Sequence, residues 1–157
     1  MKDDRYILVI ADKSAEMNTA LEYACARSKK TSRKIIIATF IEPLDVLTTQ
    51  GVTEIMKNEA REEAQKLLNS SASIVKESTG SIPILYSREG EIITELKNLI
   101  EEDQNINVLV LAANSNENTK NPGPIINALL TKEISSLRIP VMIVPGNFSK
   151  EYISQIT

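Results

Sequence analysis

The sequence predicts one α/β domain: a doubly wound parallel sheet with helices on both faces. Three observations carry that prediction. Five apolar runs of strand length alternate with four stretches of helical period. Each stretch between runs is long enough for a crossover, which makes the neighbouring strands parallel and the connections right-handed. The whole takes 157 residues, the size of one domain. A doubly wound sheet is the layer arrangement that buries such strands on both sides.

The first run, Tyr6 to Ala11, is continuously apolar, as a strand covered on both faces requires. Ser14 is the expected N-cap of a helix whose inner face holds Met17, Ala20, Leu21, Ala24 and Cys25 at spacings of three and four. Ile35 to Ile41 form the second strand, stopped by Pro43. A polar turn reaches Gly51, and a long helix then runs to about Ser78. Its stripe is Val52, Ile55, Met56, Ala60, Ala64, Leu67 and Leu68, continuing to Ile74 and Val75. Lys57 with Arg61, and Glu62 with Lys66, take the solvated side, and Gly80 closes the helix. Ile82 to Tyr86 read as a short strand whose Pro83 places it at a sheet edge. Gly90 opens a third helix, with Ile92, Ile93, Leu96, Leu99 and Ile100 on one face. Val108 to Ala113 form the fourth strand, followed by a polar loop from Asn114 to Gly123. Pro124 suits the first turn of a fourth helix with an inner face of Ile126, Leu129, Leu130, Ile134 and Leu137. Val141 to Val144 form the last strand. The domain is expected to span 1–146, with 147–157 a partly mobile tail of no strong period.

Composition excludes several chemistries. The chain has one cysteine and no histidine, so no internal disulfide, no Ser–His or Cys–His pair and no imidazole metal site is available. Cys25 reads as a small buried hydrophobe rather than a reactive thiol. Acidic residues outnumber basic ones by 21 to 18, which argues against nucleic acid as a partner. The densest positive patch, Ser28 to Lys30 with Arg33 and Lys34, reads as a solvated helix end. No run approaches the ~18 apolar residues of a membrane span, so no membrane partner is expected. No signal-type segment precedes the first strand, and a cytoplasmic protein is expected.

The phosphate motifs of other doubly wound proteins are absent. No G-x-G-x-x-G follows the first strand, and there is no G-x-x-x-x-G-K-[ST]. The acids and lysine of a receiver domain are missing, since Ser87 follows the third strand and Pro145 the fifth. What the sequence does resemble is the universal stress protein family, from about Tyr6 to Pro145. The resemblance rests on Ile7-Leu-Val-Ile-Ala-Asp-Lys-Ser14, on Phe40-Ile-Glu-Pro43 and on Arg88-Glu-Gly-Glu-Ile-Ile93. Ile139-Pro-Val-Met-Ile-Val-Pro145 is its best single match. It implies an adenine-nucleotide alpha-hydrolase-like fold with five parallel strands in the order 3-2-1-4-5.

Members of that family that hold ATP carry G-x2-G-x9-G-[ST] after the fourth strand, where glycines admit the phosphates and a helix N-terminus binds the anion. Here Ala112 and Ser115 fall at the first two glycines, and Asn127 and Ala128 at the final pair, with a loop two residues longer. Gly123 is the remaining flexible point near the helix start. Asp12 resembles the family acid that contacts the nucleotide, and equally reads as an acid that helps cap the following helix. Phe40 stands where the family places a smaller aliphatic residue beside adenine, and core packing accounts for it as well. Glu89 and Glu91 read as helix-dipole decoration.

The reading is a non-catalytic stress-response regulatory protein without a cofactor, weak or lacking in ATP binding. The resemblance implies a homodimer paired through Val141, Met142, Ile143 and Val144, an edge that invites pairing, with other proteins as further partners. The alternative is a switch that holds ATP or another adenine nucleotide through an altered loop. An enzyme of the related hydrolase-like fold finds little support, because no S-G-G-x-D-S loop is present.

Overall fold

The computed structural model describes residues 5–43, 50–115 and 120–157. In chain order these form β1 (Tyr6–Ile10), α1 (Met17–Thr31), β2 (Lys34–Ile41), α2 (Gln50–Thr79), β3 (Ile84–Glu89), α3 (Ile92–Glu102) and β4 (Ile106–Ala113). Then follow α4 (Pro124–Ala128), a π-helical turn at Leu129–Glu133, a 3₁₀ turn at Ile134–Ser136, β5 (Val141–Pro145) and α5 (Lys150–Ile156). All strand pairs are parallel, in the order β3-β2-β1-β4-β5. That is the fold class and strand order expected from the sequence.

Side chains that alternate along the strands divide between two cores. Ile7, Val9, Ile35, Ile37 and Val110 meet Leu21 and Ala24 of α1 and Leu68 of α2 on one face. Leu8, Ile10, Ile36, Leu109 and Leu111 meet Leu96 and Leu99 of α3 and Ile126 of α4 on the other. Two successive steps from β1 to β3 in one direction put α1 and α2 on the same face. The return from β3 to β4 reverses direction and puts α3 and α4 opposite. Arg138, before β5, holds one end of this frame together. Its Nη2 donates to the carbonyls of Ile100 at 2.5 Å, Ile106 at 3.1 Å and Asp103 at 3.2 Å.

Several elements differ from the sequence expectation. Helix α1 starts at Met17, and Ser14 does not cap it, because its N–H and hydroxyl both turn back to Asp12. Strand β3 does lie at the edge, but it begins after Pro83 and leaves Ile82 exposed. Only the second half of the α2 stripe contains buried residues, Ala64, Leu68 and Val75, and even there Ile74 is exposed, while in the first half Val52 and Ile55 are exposed. The reason is length. Thirty helical residues span roughly 45 Å, whereas the longest strand, of eight residues, spans about 26 Å. On the solvated side Arg61 reaches Glu89 at the end of β3, with Nε 2.5 Å from the carboxylate.

The fourth helix is not one regular helix. Its π turn shifts the later positions out of step with a 3.6-residue period, so Ile126 and Leu129 are buried but Leu130 and Ile134 are exposed. The segment after Gly146 is not a loose tail. Ser149 caps α5 by accepting from the Tyr152 N–H at 3.1 Å. Ile153 is buried, Phe148 packs on the α1 side core, and the Phe148 and Tyr152 rings meet edge to face.

Candidate functional site

In an open parallel sheet the strand order reverses at one place, and the crevice there, outside the carboxyl ends of the strands, is the usual ligand position. Here that place is β1, flanked by β2 and β4. Two cavities meet at its carboxyl end and share Ile10, Asp12 and Lys13. The first, about 220 Å³, lies toward β4 and is lined by Asp12, Glu16, Met17, Ala112, Gly123 and Ile125 among others. The second, about 270 Å³, lies toward β2 beneath α2, and is lined by Thr39, Phe40, Ala60, Glu63 and Ile92 among others.

The junction is held by local hydrogen bonds. Ala11 N–H continues the β1–β2 ladder to Ala38 at 2.8 Å, and the buried Thr39 hydroxyl donates to the Ala11 carbonyl at 2.9 Å. Asp12 is half-buried and its Oδ1 accepts from the Ser14 N–H at 2.9 Å and the Ser14 hydroxyl at 2.5 Å. Asp12 thus ties the turn before α1 rather than capping the helix itself. Lys13 reaches across to Glu63 of α2 at 2.6 Å. Hydrogen bonding and charge from that ammonium hold the Glu63 carboxyl below the usual carboxylate range.

The loop after β4 is closed at its base by the Asn114 N–H, which donates to the Pro122 carbonyl at 2.9 Å. Asn121 Oδ1 then accepts from the Gly123 N–H at 3.0 Å. Gly123 has a φ of 125°, which an L side chain rarely adopts, so its glycine is needed for the turn into α4. Asn116 and Asn118 of this loop lie outside the described residues.

The structure therefore brings Asp12, Ala112 and Gly123 to the first cavity, and Asp12 and Phe40 to the second. The Phe40 ring also packs against the core beneath α3 and α4. Ser115 is exposed just past β4 and lines neither cavity. Asn127 and Ala128 are elsewhere. They lie within a helical segment rather than at its start: Asn127 N–H is bonded to the Gly123 carbonyl at 3.0 Å, and Leu129 N–H to the carbonyls of Ile125 and Ile126. Asn127 is exposed, and Ala128 faces a groove shared with Glu91, which caps α3, and with Thr94 and Lys97 of that helix. Without glycine at 127, nothing interrupts the helix there, and its donors are consumed internally. Glu16, Glu63 and Ile125 line the cleft and carried no expectation. Glu16 lies four residues from Asp12 in the chain, but no sequence signal links Glu63 to Lys13 across 50 positions.

The first cavity is a poor match for phosphates. Pro124, at the first helical position, has no N–H to offer. Its lining carries Asp12 and Glu16 against one cation, Lys13, which is engaged by Glu63. Two carboxylates within an apolar wall raise the cost of a polyanion. Among the described residues, the lining of this cavity therefore does not fit the triphosphate of ATP. Among the described residues no group of three or more Cys, Asp or Glu side chains is placed to hold a metal, and no helix is long and apolar enough to cross a membrane.

No protein-family model matches the sequence, and no curated protein matches it. Solved structures do. A universal stress protein from Lactobacillus plantarum superposes with a TM-score of 0.73 at 12% identity, over 89% of this chain and 97% of the other. The chain has the universal stress protein fold. A member of that family from Burkholderia pseudomallei gives a TM-score of 0.69 at 16% identity, over 92% and 98% of the two chains. The Archaeoglobus fulgidus universal stress protein in complex with dAMP gives 0.57 at 15% identity, over 89% and 97%. At these identities the likeness is one of fold.

Proposed function

We propose that this chain is a cytoplasmic, non-catalytic regulatory protein of the universal stress protein type that does not depend on ATP and acts as a homodimer. The observation that carries the reading is the first cavity of the cleft. The fold supplies a crevice at the switch point of the sheet, and its first cavity is lined by Asp12, Glu16, Pro124 and Ile125, with Lys13 the one cation among the described lining residues. The buried, unpaired Cys25 is in keeping with a reducing compartment.

The dimer reading rests on β5. It pairs only with β4 among the described residues, and its outer edge presents the exposed Met142 between half-buried Val141 and Ile143. An uncovered edge of this composition favours pairing with a second strand. Sedimentation velocity at micromolar concentration tests it. A dimer that Met142→Lys converts to monomer supports the reading, and a wild-type monomer overturns it.

A second reading, an adenine-nucleotide switch, is favoured by the second cavity. Ala60 and Ala64 leave room beneath α2 for a flat group beside Phe40 and Thr39, and a protein of this fold has been solved with dAMP. Mass spectrometry of the purified protein tests it. Carried-over adenine nucleotide would favour the switch, and its absence together with no thermal shift in AMP would dismiss it.

A further inference from the structure

Helix α2 is secured unevenly along its length. Across residues 51–63 no side chain is buried, whereas Ala64, Leu68, Ser71 and Val75 are buried at successive turns that follow. Helical stability in a protein comes mainly from packing one face, and a free helix of about a dozen residues is marginal in water. The composition of the first half adds little, since Gly51, Val52, Thr53 and Asn58 are among the weaker helix formers. Lys57 with Arg61, and Glu59 with Glu63, also set like charges one turn apart, which weakens a helix further.

Among the described residues, the ion pairs of this half are made with the rim of the cleft. Arg61 approaches both carboxylate oxygens of Glu89 at the end of β3, with Nε at 2.5 Å and Nη2 at 3.4 Å. Glu63 accepts from Lys13, which follows β1, at 2.6 Å. Both pairs stand just before Ala64, where burial of the helix begins. Both are exposed, and an exposed ion pair shifts an equilibrium by about fivefold at most, so they hold the helix lightly. Beneath the same stretch lies the second cavity. Its α2 wall is Ala60, Glu63, Ala64 and Leu67, and the buried Thr39 also lines it.

We propose that the first half of α2 is a gate to the second cavity, which melts back to Ala64 and re-forms, with Lys13–Glu63 and Arg61–Glu89 as its latches. Melting of residues 51–63 takes Ala60 and Glu63 out of the cavity wall and opens a path to Thr39. The buried contacts of Leu68 and Val75 stay in place, so the sheet remains covered. Weak latches suit this role, because they release without unfolding the rest of the domain. The gate goes beyond the regulatory reading, and it does not depend on whether a nucleotide or another small molecule enters.

Amide hydrogen exchange of the full chain, read residue by residue by NMR, tests it. The amides of residues 54–63 should exchange about tenfold or more faster than those of 68–78. In Lys13→Gln/Arg61→Gln, exchange across 54–63 should rise about threefold or more while 68–78 stay unchanged. Added salt should produce the same rise in wild type and little in that variant. Lys13→Glu alone should also raise exchange, and the reversed pair Lys13→Glu/Glu63→Lys should restore protection. Access to the cavity is read separately, as the rate at which a maleimide labels Thr39→Cys in a Cys25→Ala background. That rate should rise when the latches are removed. Uniform protection along α2, an unlatched variant that exchanges as wild type does, or a labelling rate indifferent to the latches would overturn the proposal.

Discussion

The hydroxyl of Thr19 donates to the carbonyl of Gly146 over 2.8 Å, joining the first turn of α1 to the residue that follows β5. Gly146 N–H in turn donates to the Ala113 carbonyl at 2.9 Å. A side chain at 146 has no room, because an added Cβ would lie 2.2 Å from the Ala113 oxygen and 2.8 Å from Glu16 Cβ. Three elements that border the cleft are thus fixed to one another at a point where only glycine fits.

Gly146→Ala should therefore destabilise more than Thr19→Val. Loss of the Thr19 hydrogen bond costs about 1 kcal/mol, or roughly 2–4 °C in Tm for a chain of this size. The alanine has to displace backbone, a strain of about 1–3 kcal/mol. Thermal unfolding followed by circular dichroism ranks the two. A Gly146→Ala protein as stable as wild type would contradict the packing described.

Helix α5 belongs to the folded unit, and Ile153→Ala tests that directly. Ile153 is 1% exposed, and removing such a side chain costs about 2–5 kcal/mol. Chemical denaturation should show the loss as a lower midpoint at unchanged slope. A midpoint within error of wild type would return these residues to the status of a tail.

How much of this was legible beforehand follows from how local each signal is. The two-faced burial of β1 and β2 and the edge position of β3 rest on apolar runs and on Pro83, which are read within a few residues, whereas the strand order followed from the resemblance to the universal stress protein family. Helix α5 was missed because its cues, the Ser149 cap and the single inward Ile153, span too few residues to build a period. The exposed half of α2 was missed because periodicity records an apolar face without recording whether a sheet lies beneath it. In the cleft, Asp12, Ala112 and Gly123 converge as their positions along the chain suggest. Asn127 and Ala128 do not, because matching the spacing of a motif cannot tell a helix start from a helix interior. The facing of Lys13 and Glu63 depends on tertiary structure alone.

Cys25 should be inert in the native state. Burial, the largest influence, pushes its thiol above 9.0, outweighing the lowering effect of a hydrogen bond with Ser78. A group whose pKa is higher folded than unfolded supports the fold below its unfolded value, and that support is lost as pH rises through the folded value. Stability should accordingly decline above about pH 9, and Cys25→Ala should flatten that decline. Reaction with an aromatic disulfide reagent at neutral pH should be slow until denaturant is added. Rapid labelling of the native protein would contradict the burial.

The central proposal is that the cleft of this universal stress protein fold does not hold a triphosphate. Calorimetric titration with magnesium ATP, on protein first shown to be free of carried-over nucleotide, tests it most directly. The account predicts no saturable heat at millimolar ATP, and no gain from changing Asn127 and Ala128 to Gly and Ser, since those positions sit in a closed helix away from Asp12. Micromolar binding that Asp12→Ala abolishes would contradict it.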